Sequence, residues 1–178
     1  GFVVPAPAAC SRNQGIDYLV INISLNNLVM AKKTIVFIHG LWMHASSWQP
    51  WMDFFNQHSY SILNPGWPGD SGTVAECRAN PAAIANRGVT EIADSYAAVI
   101  ATLPSPPIVI GHSFGGLIAQ VLLGRGIASA GLAIDPAPMK GVWQLPFSAL
   151  RASLPVLGNP FNLKKAISLS FEQFRYGF

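Results

Sequence analysis

Three short runs of uninterrupted apolar residues constrain this chain more than any other feature. Thr34-Ile35-Val36-Phe37-Ile38, Ile108-Val109-Ile110 and Leu132-Ala133-Ile134 do not alternate with polar residues. A strand with one face in water alternates, whereas an unbroken run signals burial on both faces, as in the middle of a parallel sheet. Tyr60-Ser61-Ile62-Leu63 reads as a further strand. Helical patterns lie between these runs. Trp48, Trp51, Met52 and Phe55 recur at helical spacing, with Ser47 as the expected N-cap and Pro50 tolerated in the first turn. Ile92, Ala93, Tyr96, Val99, Ile100 and Leu103 keep the same period up to Pro104, and Leu117, Ile118, Val121 and Leu122 mark a third helix ending at Gly124. Strands and helices alternating through short links predict an α/β domain, a mostly parallel sheet with flanking helices.

Composition narrows the alternatives. The chain has 178 residues, enough for one domain and too few for two ordinary ones. Apolar residues are 51%, charged residues 11%, and the mean hydropathy is +0.35, which excludes disorder. No stretch of about 18 apolar residues runs free of Lys, Gln, Arg or Pro, so no membrane span is expected. The net charge of +3 is dispersed, with Lys32-Lys33 and Lys164-Lys165 as the basic pairs, too little for a nucleic-acid surface. Cys10 and Cys77 permit one disulfide and require none. No Cys-x-x-Cys or paired-histidine spacing suggests a metal, and no cofactor is expected.

The two ends of the chain differ from its middle. Up to Val29 there is little pattern beyond Tyr18-Leu19-Val20-Ile21, and Met30-Ala31-Lys32-Lys33 directly before the first apolar run reads as a translation start. Residues 1–29 are therefore expected to be an N-terminal extension of uncertain structure, and residues 30–135 the core. No targeting signal is assigned, so a cytoplasmic location is favoured. After Asp135 come five prolines between positions 136 and 160 and no strand-like run. Residues 136–178 are expected to form a cap-like helical segment, with one short helix over Ser148–Leu154. Ser170-x-x-Gln173 has the form of a capping box and predicts another helix start.

The segment richest in chemistry is Ile108-Val109-Ile110-Gly111-His112-Ser113-Phe114-Gly115-Gly116-Leu117. It sets Gly-x-Ser-x-Gly between a buried strand and an amphipathic helix, the context in which a serine can act as a nucleophile. The serine must stand on a tight, strained turn to present its hydroxyl. Gly111 and Gly115 remove side chains that would collide across that turn, and the helix beginning near Phe114 aims its positive end and free N–H groups at a developing oxyanion. A dinucleotide fingerprint is the weaker reading, because Ser113 replaces the glycine that lets a pyrophosphate approach.

Two further motifs complete a recognisable set: His39-Gly40-Leu41-Trp42 after the first strand and Pro65-Gly66-Trp67-Pro68-Gly69-Asp70 after the second. With the Gly-His-Ser-Phe-Gly-Gly turn, they make the sequence resemble the α/β-hydrolases from about Met30 to Phe178. The resemblance implies an α/β-hydrolase core with the beginning of a helical cap, and an esterase- or lipase-like serine hydrolase acting on a small-molecule acyl substrate. It implies Ser113 as nucleophile and an oxyanion hole from the backbone N–H groups of Leu41 and Phe114, with Gly40, Gly111 and Gly115 as turn glycines. A serine rather than an aspartate argues for acyl transfer and against dehalogenase or epoxide-hydrolase chemistry.

The histidines depart from the family pattern. In this fold the triad runs Ser, then Asp or Glu, then His, yet His39, His44, His58 and His112 all precede Ser113. His112 should point away from the hydroxyl, His39 reads as a structural turn residue, His44 lies in the loop beside the oxyanion donors, and His58 reads as surface. The acids after Ser113 are Asp135, a turn former or weak acid candidate, and Glu172. The expectation is therefore a C-terminally incomplete core, with the triad acid and histidine beyond Phe178. A catalytically inactive binding or scaffold protein and a cofactor-free perhydrolase-type relative stay open as alternatives.

Overall fold

The computed structural model describes residues 32–142, 158–162 and 165–177, with scattered positions between 143 and 157. The expected strand at Tyr18–Ile21, the start at Met30, Cys10 and most of the expected helix Ser148–Leu154 lie outside the described residues.

Four strands, β1 (Thr34–Ile38), β2 (Ser61–Leu63), β3 (Ile108–His112) and β4 (Ala130–Ile134), form one sheet in the order β2-β1-β3-β4. Every pairing is parallel, with Ile35 opposite both Ile62 and Ile108, and Ile110 opposite Leu132. Between and after them, among the described residues up to Gly124, lie the helices α1 (Gln49–Gln57), α2 (Val74–Ala79), α3 (Val89–Ile100) and α4 (Phe114–Gly124). The alternation of strand and helix is the one the apolar runs predict, and the sheet is flanked on both faces. On one face Ile35, Phe37 and Ile110 pack with Trp48 and with Met52 and Phe55 of α1. On the other, Val36, Ile38 and Val109 pack with Ile92, Ala93, Tyr96 and Ile100 of α3 and with Ile118, Ala119 and Leu122 of α4.

Strand β4 corrects the expectation of burial on both faces. Leu132 is 47% exposed, and Ala130 and Gly131 are exposed as well. The reason is position. Among the described residues β4 is the edge of the sheet, and α1 packs over β1 and β2 rather than over β4. Leu123 of α4 lies across Gly131 on the opposite face.

The helix starts also differ in instructive ways. His44, not Ser47, caps the segment before α1: its Nδ1 accepts the Ser46 N–H at 3.1 Å. The chain then makes one 3-10 turn, Ala45–Trp48, before Pro50 enters the first turn of α1. Trp48 is thereby laid on Phe37, ring centroids 4.8 Å apart. Helix α2 has no counterpart among the expected elements, although its Thr73-x-x-Glu76 capping box is the same signal as Ser170-x-x-Gln173. The latter does start a helix, α5 (Phe171–Gly177), with the Ser170 N–H donating to Gln173 Oε1 and the Gln173 N–H to Ser170 Oγ. Between Pro136 and α5 the described residues contain the 3-10 turn Pro160–Asn162 and no strand. No helix among the described residues is long and apolar enough to cross a membrane.

Candidate active site

Parallel strands place their C-terminal ends along one edge of the sheet, so the links that follow β1, β2, β3 and β4 converge there. The link after β3 is the tightest. Ser113 has φ 55° and ψ −122°, outside the regions that L-residues favour, at a cost of about 1–3 kcal/mol. Its neighbours hold it there. The Ser113 N–H donates to Ile134 O at 3.0 Å, and Ser113 O accepts from Ala137 N–H at 2.9 Å and from Leu117 N–H at 3.1 Å. The turn is thus clamped by the end of β4 on one side and by α4 on the other.

The glycines explain why the turn can close. A Cβ on Gly111 would lie 2.0 Å from Gly115 O, and one on Gly115 would lie 2.1 Å from Ile38 O. Both distances are far inside van der Waals contact, so the β3–α4 link and the end of β1 approach as only glycine permits. Gly40 completes the contact from the loop after β1: a Cβ there would meet Ser113 Cβ at 3.0 Å and His112 O at 3.1 Å. The structure therefore brings Gly40, Gly111, Ser113 and Gly115 together. Leu41 follows Gly40 in that loop, and Phe114 is the first residue of α4. Among the described residues neither the Leu41 N–H nor the Phe114 N–H has a protein acceptor. Trp42, with φ 60°, carries the chain out of this turn, and its indole N–H donates to Ile167 O at 2.9 Å. That bond ties the segment before α5 to the loop after β1.

Asp70 ends one of the motifs quoted from the sequence, but no role was assigned to it there. It arrives from the loop after β2 and accepts at Oδ2 from His39 Nε2–H and from Trp67 N–H, both at 2.8 Å. His39 is 2% exposed, stacked on Trp67 with centroids 5.1 Å apart, and its Nδ1–H donates to Gly40 O at 2.9 Å. Burial pushes the Asp70 carboxyl up, but the hydrogen bond and charge of His39, the Trp67 N–H and the nearby His44 charge outweigh it and hold the group below its usual range. The signal in the sequence is the Pro65–Asp70 motif, which does not show its partner, because His39 lies 31 residues away.

The other candidates are placed as follows. His44 Nε2–H donates to Ser71 O at 3.1 Å, and His58 Nδ1–H donates to Phe54 O at 2.7 Å on the exposed end of α1. His112 lies on the α1 side of the sheet with Ile110. There it lines a cavity of about 220 Å³ with Met43, Trp48, Trp51 and Ile134. Asp135 has φ 40° and is exposed, turning the chain from Ile134 to the Ala137 N–H that holds Ser113; Asp tolerates that conformation better than most residues. Glu172 is exposed in the first turn of α5. Cys77 is a free thiol whose Sγ accepts from the Ser71 N–H at 3.2 Å. Among the described residues no group of three His, Cys, Asp or Glu side chains could hold a metal ion.

Comparison with known proteins gives this geometry a context. Residues 35–176 match the model of the Alpha/beta hydrolase family. An (E)-2-((N-methylformamido)methylene)succinate hydrolase from Acinetobacter baylyi is 28% identical over 119 residues, which is 66% of this chain and 41% of that protein. An extracellular alpha/beta-hydrolase from a Paenibacillus species, described as homologous in structure and function to tobacco salicylic acid binding protein 2, superposes with a TM-score of 0.59. It is 23% identical, over 80% of this chain and 57% of that one. An epoxide hydrolase of the same superfamily, from metagenomes of hot environments, gives 0.57 at 20% identity over 74% and 45% of the two chains. The chain spans about half the length of these relatives. The likeness to the solved structures is one of fold, and the family match covers most of the sequence. From the parallel sheet, the strained serine turn and that match together, we conclude that the chain belongs to the α/β-hydrolase family.

Proposed function

We propose that this chain carries the nucleophile and oxyanion hole of a serine hydrolase acting on an ester or related acyl substrate through an acyl-enzyme. The observation that supports it best is Ser113 itself, held at φ 55° and ψ −122° where β3 ends and α4 begins, with Gly40 packed against it. In this reading Ser113 Oγ attacks the acyl carbon as its proton passes to a base. The carbonyl oxygen becomes an oxyanion that accepts from the Leu41 and Phe114 N–H groups, and the positive end of α4 adds to its stabilisation. Collapse of the tetrahedral intermediate forms the acyl-enzyme and releases the alcohol or amine, which takes the proton; water then repeats the sequence and frees the acid. Residues 136–178, tied to the loop after β1 through Trp42 and Ile167, would shape the pocket for a small-molecule acyl group.

The bonding of three histidines fits a second reading: His39, His44 and His58 are bonded to Asp70, Ser71 and Phe54 respectively. A binding or scaffold protein of the same fold needs no base and fits that arrangement. A perhydrolase-type relative would use the same serine, and an acetate-dependent peroxide assay separates it from an esterase. The deciding experiment treats the folded protein with a serine-directed fluorophosphonate and an activated aryl ester. Labelling that disappears in Ser113→Ala, with turnover falling by as much as about 10⁶-fold, supports the hydrolase. Equal labelling of both proteins overturns it, and a folded protein that neither labels nor turns over ester supports the binding reading.

A further inference from the structure

We propose that Asp70 and His39 are positioning residues for the Gly40–Leu41 peptide, and that they set the direction of the Leu41 N–H. The use of that N–H as an oxyanion donor rests on the function proposed above; the arrangement that aims it rests on geometry alone. The Gly40 carbonyl and the Leu41 N–H belong to one planar trans peptide and point in opposite directions. Whatever holds the carbonyl therefore aims the N–H.

Gly40 O accepts twice, from His39 Nδ1–H at 2.9 Å and, more weakly, from Met43 N–H at 3.3 Å. A backbone carbonyl only accepts, so Nδ1 carries a proton in this contact. The ring that supplies it cannot turn away. Its face is stacked on Trp67 at 5.1 Å and 20°, and Nε2 is fixed at 2.8 Å to Asp70 Oδ2. Asp70 is fixed in turn by the Trp67 N–H on the same oxygen, so one short turn after β2 grips the imidazole by face and edge. The pair is almost sealed from water, with side chains 2% and 7% exposed.

The arrangement answers a specific problem. A Cβ on Gly40 would crowd Ser113 Cβ at 3.0 Å, and a peptide next to glycine is the freest to rotate. A donor that stabilises a transition state is useful only if it is already aimed. Here a side chain removes the freedom that the missing Cβ creates. The two ends of the peptide are treated unequally, as this role requires: its oxygen has two donors, while its N–H has no acceptor among the described residues.

The test uses protein with ¹⁵N-labelled leucine, the Leu41 amide being identified by its loss in Leu41→Met. In Asp70→Asn and His39→Gln the Leu41 amide resonance should shift or broaden, while the Leu117 and Leu122 amides of α4 keep their positions. An unmoved Leu41 resonance in both variants overturns the proposal, and so does an equal displacement of all leucine amides, which marks a merely structural role. If wild type is labelled by the fluorophosphonate, both variants should label about 10- to 100-fold more slowly. A wild type that is not labelled counts against the hydrolase reading alone, because the amide resonance still decides the positioning role.

Discussion

β1 and β4 flank the strand that bears Ser113, both as parallel neighbours and both as short apolar runs, yet they contribute to the site by different means. β1 is buried on both faces, and the loop after it meets Ser113 through a glycine whose peptide is held by side chains, His39 and Asp70. Among the described residues β4 is the exposed edge, and it and the turn after it hold Ser113 through backbone alone, from Ile134 O and the Ala137 N–H. The difference teaches where mutation can reach. A support made of side chains is open to substitution at two positions, whereas one made of backbone tolerates most changes of side chain along β4.

The largest expected effect breaks the close approach on the β1 side. Gly115→Ala sets a Cβ at 2.1 Å from Ile38 O, backbone against backbone, and should cost more than about 4 kcal/mol in urea unfolding, the exceptional end for one substitution. Next is the contrast between the strands. Phe37→Ala empties a fully buried site stacked on Trp48 and should cost about 3–5 kcal/mol. Leu132→Ala on β4 should stay within about 0.5 kcal/mol in the same assay, since Leu132 is 47% exposed. A comparable loss at the two positions would show that β4 is covered in solution and would erase the comparison.

Two smaller effects sharpen it through pH. The Asp70 carboxyl is held below its usual 3.8, so near that pH the unfolded chain binds a proton that the folded one does not. Its contribution is complete above 3.8 and is lost as pH falls through the lower folded value. Asp70→Asn should remove that part of the acid limb of a stability-against-pH curve and cost about 1.5–3 kcal/mol at neutral pH, the range for a hydrogen bond to a charged group. Tyr96 behaves in the opposite sense. Burial, with the Asp70 charge adding to it, raises its phenol above the usual 10.0, so its contribution is present below that pH and is lost as pH climbs toward the folded value. Tyr96→Phe should flatten the alkaline limb and cost about 1 kcal/mol for the bond to Pro65 O.

Much of the architecture was legible because it depends on local pattern. The three unbroken runs marked β1, β3 and β4, Tyr60–Leu63 marked β2, and the glycines around Ser113 marked a turn that only their absent side chains allow. Other features had a readable signal that lost to a neighbour. Ser47 has the chemistry of an N-cap, but His44 reaches the Ser46 N–H first and starts the winding earlier. Thr73 and Glu76 spell a capping box in a stretch without apolar periodicity, which is why α2 is easy to miss.

By itself the sequence determined the four described strands and the helices other than α2, the parallel sheet they imply and the position of the serine turn, because these follow from periodicity and backbone sterics within a dozen residues. Only the tertiary structure decided which apolar run would be the exposed edge among the described residues, since β1 and β4 have the same kind of sequence and differ in what packs beside them. It also decided the task of His39. A histidine beside a glycine has no fixed role until Asp70, 31 residues on, and the ring of Trp67 close around it and turn its Nδ1–H toward the Gly40 carbonyl.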